Sequence, residues 1–283
     1  MDASPFLGRG THREKKKWYP ALVVAPVLVL TGLGAGPSTV VASRVVLARQ
    51  VAPSAPIAGS LVAKAAKDPN SSPNWAGDAL VGSTFTSVAG SWREPSATCP
   101  NDKSSQSVFW VGLDGYSSPT VEQIGTDAVC IKEKRGPVTG YHAWYEMYPL
   151  PGQFLDPATY PVAPGDLLQA SVSVENGSYD LSITDVGHWT FSTTQAAPAG
   201  AQDNSAEWIA EAPSVCGTGC HQVPLTDFGS VSFSGLSANG LEPAATGAKI
   251  EPITMERNSR STPRAVPSPA TPDGGFTINW MGP

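Results

Sequence analysis

At intervals of roughly ten residues, from Asn74 to the C-terminus, turn signals cut this chain into short runs. Between the cuts, residues alternate apolar with polar or are apolar throughout. Strands need that punctuation, whereas a helix needs an unbroken 3.6-residue pattern over ten or more positions. The runs lie at residues 84–92, 107–113, 121–126, 142–147, 168–175, 179–185, 189–194, 206–212, 231–233, 250–255 and 276–280. Asp114-Gly115, Asn176-Gly177, Val186-Gly187 and Asp273-Gly274-Gly275 supply the turns. The Ser- and Pro-rich stretch 258–272 reads as a loop joining the last two strands. The pattern predicts one all-β domain, a two-sheet antiparallel β-sandwich of jelly-roll or concanavalin-like type.

The N-terminal region breaks the pattern. Arg13, Lys15, Lys16 and Lys17 precede an apolar run from Ala21 to Leu33, and small residues follow at Val40, Val41, Ala42 and Ser43. Basic, then apolar, then small is the layout of a secretory signal, here residues 1–42. The apolar run contains Pro26 and falls short of the ~20 residues a membrane span needs. Residues 43–70 are rich in Ala, Val and Pro, carry four Lys/Arg against one Asp, and read as a pro-segment or linker. Residues 71–283 form the domain proper. The chain's net charge is −6, but residues 1–70 hold nine Lys/Arg and three Asp/Glu, which leaves −12 on the domain. So acidic a body repels nucleic acid and anionic membrane, and acid relieves its self-repulsion. The expectation is a secreted, extracellular protein with no membrane contact after processing. Nothing points to a partner subunit, so a monomer is expected.

Four cysteines, Cys99, Cys130, Cys216 and Cys220, suggest two disulfides in a secreted chain. Cys216 and Cys220 flank the flexible Gly217-Thr218-Gly219. A local bridge there leaves Cys99 for Cys130. A zinc site is disfavoured, because no CxxC occurs and only His221 lies nearby. There is no GxSxG elbow, no HExxH, no phosphate loop and no dinucleotide fingerprint. The histidines, His12, His142, His188 and His221, are scattered. A triad of distant residues stays open. No metal and no cofactor are expected.

The stretch NSAEWIAE, Asn204 to Glu211, places two carboxylates in a strand-like run. With a period of two, Glu207, Ile209 and Glu211 share one face, while Ala206, Trp208 and Ala210 share the other. One face is core-like. The other turns carboxylates to water or into a groove. Paired carboxylates suggest a glycoside hydrolase, but four residues along a strand separate the Cα atoms by roughly 13 Å. Such enzymes hold their carboxyls ~5–9.5 Å apart, so the fit is poor. A lectin-like module using exposed Trp and Tyr as sugar platforms is the reading from another class.

Further segments shift the balance: NWAG at residues 74–77, FWVGLDGYSSPTVEQIGT at 109–126, YHAWYEMYP at 141–149, DFGSVSFSG at 227–235 and GGFTINW at 274–280. With AEWIAE, in this order and spacing, they resemble the glutamic peptidases, or eqolisins, of the scytalidoglutamic type and their secreted bacterial relatives. The resemblance implies a β-sandwich that hydrolyses polypeptides in acid with a Glu/Gln dyad and no metal. Matched motif to motif, the catalytic pair falls on Glu207 and Gln123. Trp75, Trp110 and Asp114 fall in motifs flanking the active site and are substrate-binding candidates. Glu211 is a second nearby carboxylate. If Val121, Gln123 and Gly125 face the site, Glu122 points the other way. Trp208 and Trp144 are expected in core packing.

Overall fold

Seventeen strands run through the chain in the computed structural model, which describes residues 70–100, 102–216, 220–257 and 262–283, without the side chains of Cys216 and Cys220. The expected signal sequence, residues 1–42, and nearly all of the expected pro-segment or linker, residues 43–70, lie outside the described residues. In order the strands are β1 Ser71–Ser72, β2 Trp75–Val81, β3 Ser87–Arg93, β4 Ser105–Leu113, β5 Val121–Ile131, β6 Val138–Tyr148, β7 Gln153–Phe154, β8 Leu167–Glu175 and β9 Ser178–Asp185. β10 Trp189–Ala196, β11 Ser205–Glu211, β12 Ser214–Cys216, β13 Cys220–Gln222, β14 Ser230–Ala238, β15 Lys249–Met255, β16 Ala265–Pro267 and β17 Phe276–Trp280 follow.

Two layers are present, but they are not two separate sheets. One continuous sheet runs β10-β9-β8-β3-β14-β17-β16-β15-β2-β11-β4-β5-β6-β7, and only β12–β13 stands apart. Every pairing is antiparallel except β1 with β15. The sheet curls so that β8 and β9 lie over β4 and β5, while β3 and β14 lie over β11. β16 closes the path between the halves, pairing with β15 and β17. It sits inside the stretch expected to be plain loop, a correction to the sequence reading.

Alternation places the main core between the layers. Val172, Leu181 and Ile183 from one half meet Phe109, Val111 and Ile124 from the other, all fully buried. Trp92 and Phe233 join them with ring centroids 5.6 Å apart. Trp208 belongs here too, its indole N–H donating to the Ala89 carbonyl at 2.8 Å.

The outer side of the β2-β11-β4-β5-β6 half carries a second apolar cluster. It comprises Trp75, Ala79, Val108, Trp110, Val121, Trp144, Ile209 and Ile253. These central strands are therefore buried on both faces. β2 lies between β11 and β15, yet its sequence WAGDALV hides it. Gly77 has φ +150°, and a Cβ there would stand 2.0 Å from the Trp208 carbonyl oxygen, so only glycine fits. Cys99 is bridged to Cys130, joining the loop before β4 to β5. Cys216 stands opposite Cys220 in the β12–β13 register.

Candidate active site

Five ladder registers line up one row of residues across the outer face. Glu251 on β15 pairs with Ala79 on β2, Ala79 with Glu207 on β11, and Glu207 with Gly112 on β4. Gly112 pairs with Gln123 on β5, and Gln123 with Glu146 on β6. Directly paired residues point to the same side of a sheet. Glu207 and Gln123 thus share a face, two strand spacings or roughly 9.5 Å apart at their Cα atoms. The intervening residue, Gly112, contributes no side chain, and the edge of the Trp110 ring borders the slot this leaves.

A Cβ at Gly112 would lie 2.9 Å from the Trp110 ring, 3.1 Å from Gln123 Cβ and 3.1 Å from the Glu122 carbonyl oxygen. Gly112→Ala is therefore expected to displace Gln123 and the Trp110 ring, costing about 1–3 kcal/mol of stability. Denaturant unfolding of the variant checks the figure.

Glu207 is fully buried, and neither carboxylate oxygen makes a hydrogen bond of normal geometry among the described residues. Burial pushes its pKa well above the usual carboxylate range. Ser205 and the Tyr116 backbone amide offset this in part, while the Asp114 and Glu122 carboxylates add to it. Gln123 is buried beside it. Its Nε2 donates to Glu146 Oε2 at 2.6 Å, and its Oε1 has no hydrogen-bond partner among the described residues. Glu122 faces the other way, opposite Leu113 and Met147 of the main core, so no register slip exchanges the two. The carboxylate face expected to meet water or an open groove is instead closed, with all seven residues of β11 buried.

This row lies within the segment, residues 73–278, that matches the model of the Peptidase A4 family. The chain belongs to the peptidase A4 family. Its relatives include aspergillopepsin-2 of Aspergillus niger, 30% identical over an alignment of 190 residues that covers 59% of this chain and 64% of the relative. Scytalidopepsin B of Scytalidium lignicola is 31% identical over an alignment of 181 residues, which covers 61% of this chain and 65% of the relative. The chain thus spans just under two thirds of the length of these curated relatives. Scytalido-glutamic peptidase, solved with a transition state analog inhibitor, shares the fold with a TM-score of 0.60 at 23% identity. The match covers 74% of this chain and 98% of that one.

In this A4 chain the other expected site residues fall into two groups. Trp75, Trp110 and Glu211 stand together on the site face. Glu211 accepts from Trp110 Nε1 at 2.9 Å and from Asn74 Nδ2 at 3.1 Å, and the Trp75 and Trp110 rings meet edge-on at 5.0 Å. Glu211 thereby holds the indole that borders Gly112. With its two oxygens so engaged, it makes a poor second acid for sugar cleavage. Asp114 sits elsewhere, at a turn with φ +65°. Its carboxylate accepts backbone N–H bonds from Gln202, Asp203 and Asn204 at 2.7–3.0 Å, which fixes the loop leading into β11. Trp144 is core packing, in the second cluster. Sequence reasoning passed over Gly112 and Glu146. Both stand inside quoted motifs, but only the row reveals that they flank Gln123.

Proposed function

We propose that this chain is an acid-acting endopeptidase in which Glu207 and Gln123 hydrolyse peptide bonds of polypeptide substrates, outside the cell and without a metal. The observation that supports this most is the register that sets Glu207 and Gln123 on either side of Gly112. Membership of the A4 family and the kinship with aspergillopepsin-2 and scytalidopepsin B support it further. The bridge between Cys99 and Cys130 fits an oxidising compartment.

In this reading a water and the scissile carbonyl occupy the slot over Gly112. Ionised Glu207 takes a proton from the water as its oxygen bonds to the carbonyl carbon. A Gln123 N–H donates to the oxyanion of the tetrahedral intermediate. Glu207 then returns the proton to the amide nitrogen, the C–N bond breaks, and a carboxylic acid and an amine leave. The unperturbed carboxyl pKa, about 4.3, suits a base in acid. Burial lifts Glu207 above that, so its base form depends on contact with the substrate and the water, which restore hydrogen-bond donors to it. Polypeptide binding has to part the residues that close this face.

Casein hydrolysis near pH 4 tests the class. Clearing that persists in pepstatin and in EDTA is expected. Inhibition by EDTA would indicate a metallopeptidase, and no clearing together with retention on insoluble polysaccharide would favour a sugar-binding module.

A further inference from the structure

We propose that Glu146 is a positioning residue for Gln123, fixing which end of the amide is turned to the Gly112 slot. The inference rests on the dyad reading above and extends it by one strand.

A glutamine amide has two ends of nearly equal shape and opposite chemistry, an NH₂ that donates and a C=O that accepts. Rotation about its last torsion exchanges them, and that torsion is broad and roughly two-fold. Only one of the two orientations brings an N–H to an oxyanion. Gln123 therefore needs a neighbour that recognises one end. Its carbonyl oxygen has no partner among the described residues, so the choice falls to the bond made by its nitrogen.

That bond goes to Glu146, directly opposite on β6, at 2.6 Å between two buried side chains. The Glu146 oxygen in this bond accepts from the NH₂ end, and that contact sets the orientation of the amide. The bond is short. One N–H is spent on Glu146, and the other is left for the reaction. Glu146 stands on the far side of Gln123 from Glu207, three strand spacings or about 14 Å away at Cα, clear of the slot itself.

The setting argues against a merely structural acid. Of the residues two positions to either side on the same face, Trp144 belongs to the second apolar cluster and the partly buried Tyr148 packs against it. Desolvating a carboxylate in such surroundings is costly. An apolar residue at 146 would pack there, but it would leave the Gln123 amide free to turn.

Kinetics of Glu146→Ala, Glu146→Gln and Gln123→Ala on a polypeptide substrate in acid test the proposal. Glu146→Ala is expected to lower kcat by about 10–10²-fold with KM within about twofold. Glu146→Gln keeps an acceptor but offers both ends, so an intermediate loss of kcat is expected at unchanged melting temperature. In a Gln123→Ala background, Glu146→Ala is expected to change kcat by less than about twofold, because the amide it orients is gone. Wild-type kcat in Glu146→Gln, or the same fold-loss from Glu146→Ala with and without Gln123, would overturn it. If Glu146→Ala does not fold, the Glu146→Gln result decides alone. Full activity in Gln123→Ala would instead overturn the dyad reading.

Discussion

Glu207→Gln is expected to lower kcat/KM on a polypeptide by about 10²–10⁴-fold and to leave the fold intact. The substitution is nearly isosteric and keeps Ala79 and Gly112 as neighbours. In the dyad reading it removes the carboxyl that takes a proton from water and returns it to the leaving nitrogen, a role worth about 10²–10⁴-fold. Stability sharpens the test. Glu207 is fully buried with a raised pKa, so in acid its neutral form is close to an amide in charge and size. At higher pH the carboxyl must ionise in a buried site, and glutamine need not. The variant is therefore expected to match the wild type in acid and to exceed it in melting temperature near pH 8. A variant that loses activity because it unfolds would show the reverse.

Stability of the whole domain is expected to collapse between pH 4 and pH 8. Several carboxyls are buried where ionisation is unfavourable. Burial pushes Asp78 up to about 7. Burial, helped by the Asp114 charge, pushes Glu122 up to about 8. Glu94 is raised by burial too, although Thr126 donates to it at 2.5 Å. A carboxyl whose folded pKa lies above its unfolded value stabilises the protein fully below the unfolded value, near 4. That contribution fades as pH rises through the folded value. Asp78 and Glu122 each contribute roughly 4–5 kcal/mol by this linkage, at about 1.4 kcal/mol per pKa unit. Their sum rivals the ~5–15 kcal/mol that holds a typical domain together. Denaturant midpoints at pH 4, 6 and 8 are expected to fall steeply, and less steeply in Glu122→Gln. A midpoint at pH 8 equal to that at pH 4 would contradict the assignment.

Strands with one wet face were legible in the sequence. β10 alternates half-buried and exposed positions along its whole length, and β9 buries Tyr179, Leu181, Ile183 and Asp185 in strict alternation. β2 was not legible. Buried on both sides, it has no polar phase to display, and Gly77 and Asp78 imitate a turn. β16 is three residues long in a Pro-rich stretch, too short to carry a period. The phase of Glu207 and Ile209 against Trp208 followed from the two-residue period alone. What that face met did not, because burial of an outer face depends on what packs over it. Gln123 came only with the family resemblance, since no local pattern links it to Glu207. Gly112 and Glu146 escaped for a deeper reason. Their place beside Gln123 is set by the register of β4 and β6 on β5, a relation between strands that no single segment encodes. Asp114 became a substrate-binding candidate through the resemblance alone, and in the structure its oxygens accept from the backbone of residues 202–204.

The shared slot is tested most directly by a double-mutant cycle on kcat/KM with Glu207→Gln, Gln123→Ala and both together. Two groups acting on one water over Gly112 predict that the double variant is scarcely worse than the weaker single one. Losses that multiply would mean that the two side chains act independently, and the shared site would not exist.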